Sequence, residues 1–333
     1  KDKGDYGSIT SCVYDTDLFQ MRITGTVNYK VLVSSEEAEL AVYRILPWED
    51  PEEVIATAEP LATAPMTIRF DFTVPCRTHT ERSSMYAVVL VSPDGTKTML
   101  TEPRYQDAAS AVGNTIGFKG VCTDNHASSV ESGTGSAIVD VYLDKLENGK
   151  RSGYFYSIDG NIFYFDKEYI DSLDTIIRSY YACGTDVLLR FLISPDGKKL
   201  ACAPDYADLS LYRGVVIDGA EALTQVYAYT HFLCSRYSSA DFGTLSGIIL
   251  GRGADYPEIY NYCAVNDDEY ADLYSRSLTV IGLASGEAAG RGKVALIIPV
   301  TDSLVLSPEG EYKCHFEDFL DRVCHRLSRN TAL

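Results

Sequence analysis

The sequence predicts two domains, an all-β sandwich over residues 1–110 followed by an α/β domain over residues 111–333, and three observations carry that prediction. The chain has 333 residues, whereas single hydrophobic cores stop growing near roughly 250 to 300. Short apolar runs of period two, separated by turn residues, fill the first third. Beyond Pro103 the pattern changes to amphipathic helical stretches alternating with short runs that are apolar throughout. Such runs need helical cover on both faces, as in barrels and doubly wound sheets.

In the first domain the strand-like runs are Met21–Val27, Ala38–Leu46, Thr67–Val74 and Tyr86–Val91. Their alternation gives one buried face each, the pattern of an antiparallel, immunoglobulin-like sandwich. Ser92-Pro-Asp-Gly95 supplies a turn between two strands, and no helix of ordinary length is expected.

In the second domain, Gly117–Val121 and Ala137–Leu143 are the first two strands. Tyr154–Phe165 reads as a hairpin around Asp159-Gly160. Asp166 is placed to cap a helix with apolar positions Ile170, Leu173, Ile176, Ile177 and Tyr180, and Gly184 suits its left-handed C-terminal end. The strand Asp186–Ile193 follows, then a helix over Leu223–Tyr237 and the strand Leu245–Leu250. Asn266-Asp-Asp-Glu269 has the form of a capping box opening a third helix. The strand Val294–Val300 and an amphipathic helix through Phe316, Phe319, Leu320, Val323 and Leu327 complete the domain, with about five parallel strands in all.

Composition excludes several function classes. Lys plus Arg number 29 against 47 Asp plus Glu, a net charge of −18, which repels phosphate backbones and anionic lipid, so neither nucleic acid nor a membrane is expected as a partner. No run reaches the ~18 apolar residues of a membrane span. The chain starts at Lys1 rather than Met, which fits removal of an export leader and a secreted or cell-surface location. The nine cysteines show no short paired spacing and read mainly as small buried hydrophobes. Cys314-His315 and Cys324-His325 cannot share one metal ion if they lie on one helix, since ten residues rise ~15 Å. The glycine-rich stretches lack a nucleotide-binding pattern, so no cofactor is expected.

The order of pieces resembles a family of exported bacterial proteins with an N-terminal sandwich and a barrel like that of retaining glycoside hydrolases. The residues carrying the resemblance are Gly117-Phe-Lys-Gly-Val121, the aromatic hairpin leading into Phe165–Asp174, His231-Phe-Leu-Cys-Ser-Arg-Tyr-Ser238, Gly247-Ile-Ile-Leu-Gly251 and Glu269-Tyr-Ala271. The resemblance implies a (β/α) barrel-like second domain and a carbohydrate substrate. It also implies that the fourth barrel strand ends in Gly-Asn-Glu, the glutamate being the acid/base, with a second glutamate on strand seven. Retaining hydrolysis needs two carboxyls ~5 to 5.5 Å apart. The matching positions here are Gly251, Arg252 and Gly253, none of which can give up that proton at neutral pH. The second domain is also shorter than the ~250 residues of a full barrel, so either barrel units are missing from it or short strands escape the pattern.

The leading expectation is a carbohydrate-active, glycan-binding protein in which ordinary retaining hydrolysis is absent, impaired or rebuilt. An active glycosidase using Asp255 or Glu258 as a relocated carboxylate, and a protein-interaction or surface scaffold presented by the sandwich, are the alternatives. Asp255 and Glu258 lie just past the fourth strand, where solvated loop acids are the plainer reading. His126, Asp140, Arg190, Arg252, Tyr256 and Asp302 stand near strand ends as candidate sugar contacts. Asp140 and Arg190 interrupt apolar runs, so they also read as a buried ion pair. The 24 tyrosines add ring faces for stacking on sugars.

Overall fold

The computed structural model of the protein describes residues 6–34, 37–107, 120–121, 135–197, 199–200, 212–239, 241–242, 245–255, 261, 263, 265–290, 294–299, 305–306, 312–313 and 315–328. The chain divides into two compact units, residues 1–110 with 328–333, and residues 111–327.

The first unit contains, in order, β1 (Gly7–Asp15), β2 (Gln20–Val27), α1 (Tyr29–Ser34), β3 (Glu39–Ile45), α2 (Pro51–Thr57), β4 (Ala62–Pro65), β5 (Arg69–Pro75), α3 (His79–Arg82), β6 (Met85–Val91) and β7 (Lys97–Met99). The strands form two antiparallel sheets, β1-β2-β5 and β4-β3-β6-β7. Strict alternation along β5 buries Phe70, Phe72 and Val74 and leaves the residues between them in solvent. These side chains join Cys12, Met21 and Ile23 from their own sheet and Leu40, Val42, Tyr86 and Val88 from the other in one buried cluster. Residues from both sheets therefore fill a common core.

Three helices of one or two turns punctuate the strands. Asp50 caps α2 by accepting from the backbone N–H groups of Glu52 and Glu53, with Pro51 at the first helical position. Thr78 and Glu81 form a reciprocal capping box on α3. The turn at Ser92–Gly95 closes as its residues dictate, with Gly95 at φ +84° donating to the Ser92 carbonyl.

The second unit contains β8 (Gly120–Val121), β9 (Ser136–Tyr142), β10 (Tyr154–Ile158), β11 (Asn161–Phe165), α4 (Lys167–Ala182), β12 (Asp186–Leu192), α5 (Ala220–Tyr237), β13 (Leu245–Leu250), α6 (Asp267–Ala289), β14 (Ala295–Ile297), β15 (Val305–Leu306), β16 (Tyr312–Lys313) and α7 (His315–Ser328). Strands β8, β9, β12, β13 and β14 form one parallel sheet and lie side by side in chain order. All six residues of β13 are buried, as in a parallel strand covered on both faces. Strand β14 is shorter than the apolar run that contains it, and past its end the Pro299 carbonyl accepts from the Ala254 N–H at 2.6 Å.

Asp166 caps α4 by accepting from the Tyr169 N–H at 2.9 Å, and Ile170, Leu173, Ile177 and Tyr180 are its buried stripe. Full burial of such side chains contributes about 2 kcal/mol each. Asn266 opens α6 by accepting from the Glu269 N–H at 3.0 Å. The hairpin β10–β11 turns through Asp159 (φ +46°) and Gly160 (φ +79°), the left-handed pair that a two-residue turn needs. Its inner face packs on α5, with Phe165 stacked on Phe232 at 3.9 Å and edge-on to Tyr229 at 5.6 Å. On α7, Phe319 packs against Tyr270 and Tyr274 of α6. No described helix is long and apolar enough to cross a membrane.

Most of the described cysteines are buried. Cys12, Cys76, Cys234 and Cys263 are buried, Cys183 and Cys324 are exposed, and Cys122, Cys202 and Cys314 lie outside the described residues.

Candidate functional site at the strand ends

Parallel strands deliver all their C-terminal ends to one edge of the sheet, which is where α/β proteins place their sites. Asp140 of β9 and Arg190 of β12 are register partners across the ladder. Arg190 is buried and donates from Nε and Nη2 to the two oxygens of Asp140, at 2.7 and 2.9 Å. The ion pair expected between them is present, and its bidentate geometry neutralises both charges within the sheet.

Next to this pair stands Tyr142, the last residue of β9. Its N–H donates to Tyr169 Oη at 2.8 Å, and its ring centroid is 6.5 Å from that of Tyr212. Burial, followed by the neighbouring Tyr212 and the Asp140 charge, pushes its hydroxyl up to about 12, so it remains a protonated donor at neutral pH. Arg252 Nη1 donates to Tyr212 Oη at 3.0 Å, and the guanidinium lies 5.7 Å from the Tyr212 ring centroid. Lys145 lies 4.7 Å from the Tyr142 centroid. Two phenols and two cations are thus gathered where β9 and β13 end.

Arg252 is held by a turn built from backbone. Gly251 and Gly253 both have left-handed φ values, +76° and +62°. The Gly251 N–H donates to the Phe191 carbonyl at 2.9 Å, and Asn261 closes the turn from outside. Asn261 Oδ1 accepts from the Arg252 N–H, while its Nδ2 donates to the carbonyls of Arg252 and Gly253, each at 3.3 Å. Behind the turn, Arg213, Asn261, Tyr270 and Tyr274 help enclose about 10 Å³, room for roughly one water molecule.

Asp255 corrects the sequence reading. It is not a solvated loop acid but is buried, 7% exposed. It sits near Tyr274, whose hydroxyl burial pushes well up, with the Asp255 charge adding to the shift. That hydroxyl donates to the Leu250 carbonyl at 2.7 Å, tying α6 to the end of β13. Asp144 also has a structural role, accepting from the Ser194 N–H at 3.0 Å to hold the turn at Ser194–Gly197. Among the described residues the strand-end carboxylates Asp140, Asp144 and Asp255 are therefore committed or sealed, whereas phenol hydroxyls and the Arg252 guanidinium form the polar lining.

Of the residues singled out from sequence, Asp140 and Arg190 pair with each other, Arg252 contacts Tyr212, and Asp255 is buried near Tyr274, while His126, Tyr256, Glu258 and Asp302 lie outside the described residues. Tyr142, Tyr212 and Asn261 were missed. Tyr142 ends an apolar strand and was legible as a strand-end polar group. Tyr212 and Asn261 act from loops with no spacing signal. Among the described residues, no cluster of His, Cys, Asp and Glu could hold a metal ion.

Comparison with known proteins gives weak structural likenesses to glycoside hydrolases. Fungal β-1,4-galactanases share 12% identity at a TM-score of 0.38, over 61% of this chain and 49% of theirs. A β-glycosidase from Pyrococcus horikoshii shares 11% at 0.37, over 62% and 44%. A Paenibacillus polymyxa xyloglucanase of glycoside hydrolase family 44, solved with xyloglucan, shares 15% at 0.35, over 64% and 49%. The chain spans about half the length of these structures. No curated protein matches it in sequence. Residues 111–296, which hold all of the parallel sheet but Ile297 and every described residue of the strand-end cluster, match the family described as "Family of unknown function (DUF5722)", and with more than half its length matched the chain belongs to that family.

Proposed function

We propose that the second unit is part of a (β/α) barrel whose strand-end face binds carbohydrate, and that ordinary retaining hydrolysis is absent from it. The single observation carrying this reading is the Gly251-Arg252-Gly253 turn, which presents a guanidinium against Tyr212, itself beside Tyr142, where a retaining barrel needs its acid/base. The barrel part of the reading is supported by strand order. Five parallel strands in unbroken chain order wind in one direction, whereas a doubly wound sheet reverses order at a switch point. Protonated phenols and a guanidinium suit sugar hydroxyls and ring oxygens, and the tyrosine rings suit the apolar faces of pyranoses.

The first unit fits an immunoglobulin-like sandwich, its strands taking the order A-B-E on one sheet and C′-C-F-G on the other. In this reading it acts as a companion module on an exported or cell-surface protein.

The test is a panel of oligosaccharides offered to the full chain, with product detection and calorimetric binding on the same samples. Sugar affinity without turnover, weakened at least tenfold by Arg252→Gln or Tyr142→Phe, is the expected outcome. Binding of no member of the panel would overturn the reading. A second reading keeps catalysis and assigns the acid to Asp255, favoured by the burial of that carboxyl beside β13. Turnover abolished by Asp255→Asn in a variant that melts like the parent would establish it.

A further inference from the structure

A second place in the unit has the size and lining of a sugar subsite. Between the loop after β9 and the outer face of the β10–β11 hairpin runs an open groove of about 310 Å³, lined by Glu147, Gly149, Lys150, Arg151, Ile162 and Tyr164. That volume falls at the lower end of the range for small-molecule sites. The strand register places Phe155 opposite Tyr164 and Ser157 opposite Ile162, so all four side chains share the hairpin's outer face. Phe155 and Ile162 are more than half exposed, and Phe155 meets Tyr164 edge-on at 5.9 Å.

The charge of the groove is opposite to that of the protein. Glu147 is engaged on every side. It accepts from Tyr229 Oη at 2.5 Å and from the Tyr164 N–H at 3.4 Å, and Lys199 Nζ lies 3.7 Å from its carboxylate. Lys150 and Arg151 are exposed and form no ion pair with any described residue. The loop that carries them is fixed rather than loose. Gly149 adopts φ +75°, Asn148 Oδ1 accepts from the Lys150 N–H at 2.9 Å, and Asn148 Nδ2 donates to Asp166, the cap of α4. A positive groove beside an aromatic face, on a chain of net charge −18, calls for an anionic ligand with an apolar face.

We infer that this groove is a subsite for a carboxylated sugar unit of an acidic polysaccharide, with Lys150 and Arg151 on the carboxylate and the Tyr164–Phe155 face against the ring. The inference rests on the carbohydrate reading above and deepens it by naming the substrate class. A carboxylate matches the planar fork of Arg151 and the point charge of Lys150, while a pyranose ring offers the flat C–H face that aromatic rings take up.

The experiment measures binding of the full chain to oligogalacturonate and to an uncharged galactan oligosaccharide of the same length. Parent, K150Q/R151Q, Tyr164→Ala and Arg252→Gln proteins are compared, each first shown by thermal melting to be folded. Binding of the acidic probe is expected to fall with added salt, at least tenfold in K150Q/R151Q and severalfold in Tyr164→Ala, with little binding of the neutral probe at this groove. Equal affinity for both probes, or an acidic affinity unchanged in K150Q/R151Q, overturns the inference. Loss of binding in Arg252→Gln alone leaves the strand-end reading standing and removes this one. Loss in K150Q/R151Q alone does the reverse. Dimerisation that depends on Lys150 and Arg151, with neither probe bound, would assign the groove to a second copy of the chain and also overturns it.

Discussion

Asn261 occupies the space that a side chain at residue 251 would need: a Cβ built on Gly251 would lie 1.9 Å from Asn261 Oδ1. The same asparagine makes three hydrogen bonds to the turn it crowds, so contact and closeness are one design. Gly251→Ala therefore meets two penalties, a left-handed φ that L-residues resist and displacement of the amide. It should destabilise the second unit by about 2–4 kcal/mol and lower its melting midpoint by about 5–10 °C. An unchanged calorimetric midpoint would show that the turn is not held as described.

Glu81 links strand β3 to helix α3 in the first unit. Burial works to raise its pKa, but the backbone N–H groups of Arg77 and Thr78 and the charge and hydrogen bond of Arg44 outweigh it, so the net shift is downward. A carboxylate with a folded pKa below its unfolded value near ~4.3 stabilises the fold above that value. The stabilisation is lost as pH falls through the folded pKa. Glu81→Gln should cost about 1–2 kcal/mol at pH 7, and the difference from the parent should shrink steadily below about pH 4. Denaturant titrations at both pH values measure it, and a difference independent of pH would count against a charged Glu81.

Helices α4 and α5 are clamped by Asp174, which is buried and accepts from Arg236 Nε at 2.8 Å, Arg236 Nη2 at 2.5 Å and Tyr237 Oη at 3.1 Å. The Arg236 guanidinium also lies over the rings of Tyr154 and Phe242. Removing one partner strands the other's charge, so Asp174→Ala should cost about 3 kcal/mol or more. Arg236→Met in the same background should recover part of that loss, because the stranded cation is gone. A double-mutant cycle with no coupling would show the pair to be ornamental.

The legible parts of this molecule are those governed by local rules. Asp166, the Asp159-Gly160 turn and Asn266 each act within three or four residues of themselves, so their roles could be read from spacing alone. The Asp140–Arg190 pair was also readable, since two opposite charges interrupting apolar strands have few other ways to be buried. Asn261 and Tyr212 act across loops onto Arg252, and nothing in their neighbours announces it. Asp255 looked solvated because its surroundings in sequence are polar, and only the packing of α6 against the end of β13 shows it to be sealed.

On the glycan-binding reading proposed above, the lack of an acid at this strand end is a property of the backbone as well as of the side chains. In that reading Gly253 stands at the position proposed for the glutamate, and its φ of +62° lies in the region that a residue with a Cβ resists. Placing a glutamate at residue 253 therefore does not by itself create a strand end that would aim it. The turn would have to leave its left-handed conformation, and the Asn261 bond to the Gly253 carbonyl and the Ala254 bond to Pro299 depend on that conformation. Gly253→Glu should lose about 1–2 kcal/mol of stability and gain no hydrolysis of aryl glycosides above the uncatalysed rate. Gly253→Asn, whose side chain tolerates the left-handed region better, should lose less. A glutamate variant that melts like the parent and turns over substrate would mean that the strand end is already shaped for an acid, and the glycan-binding reading would give way to an enzyme lacking one side chain.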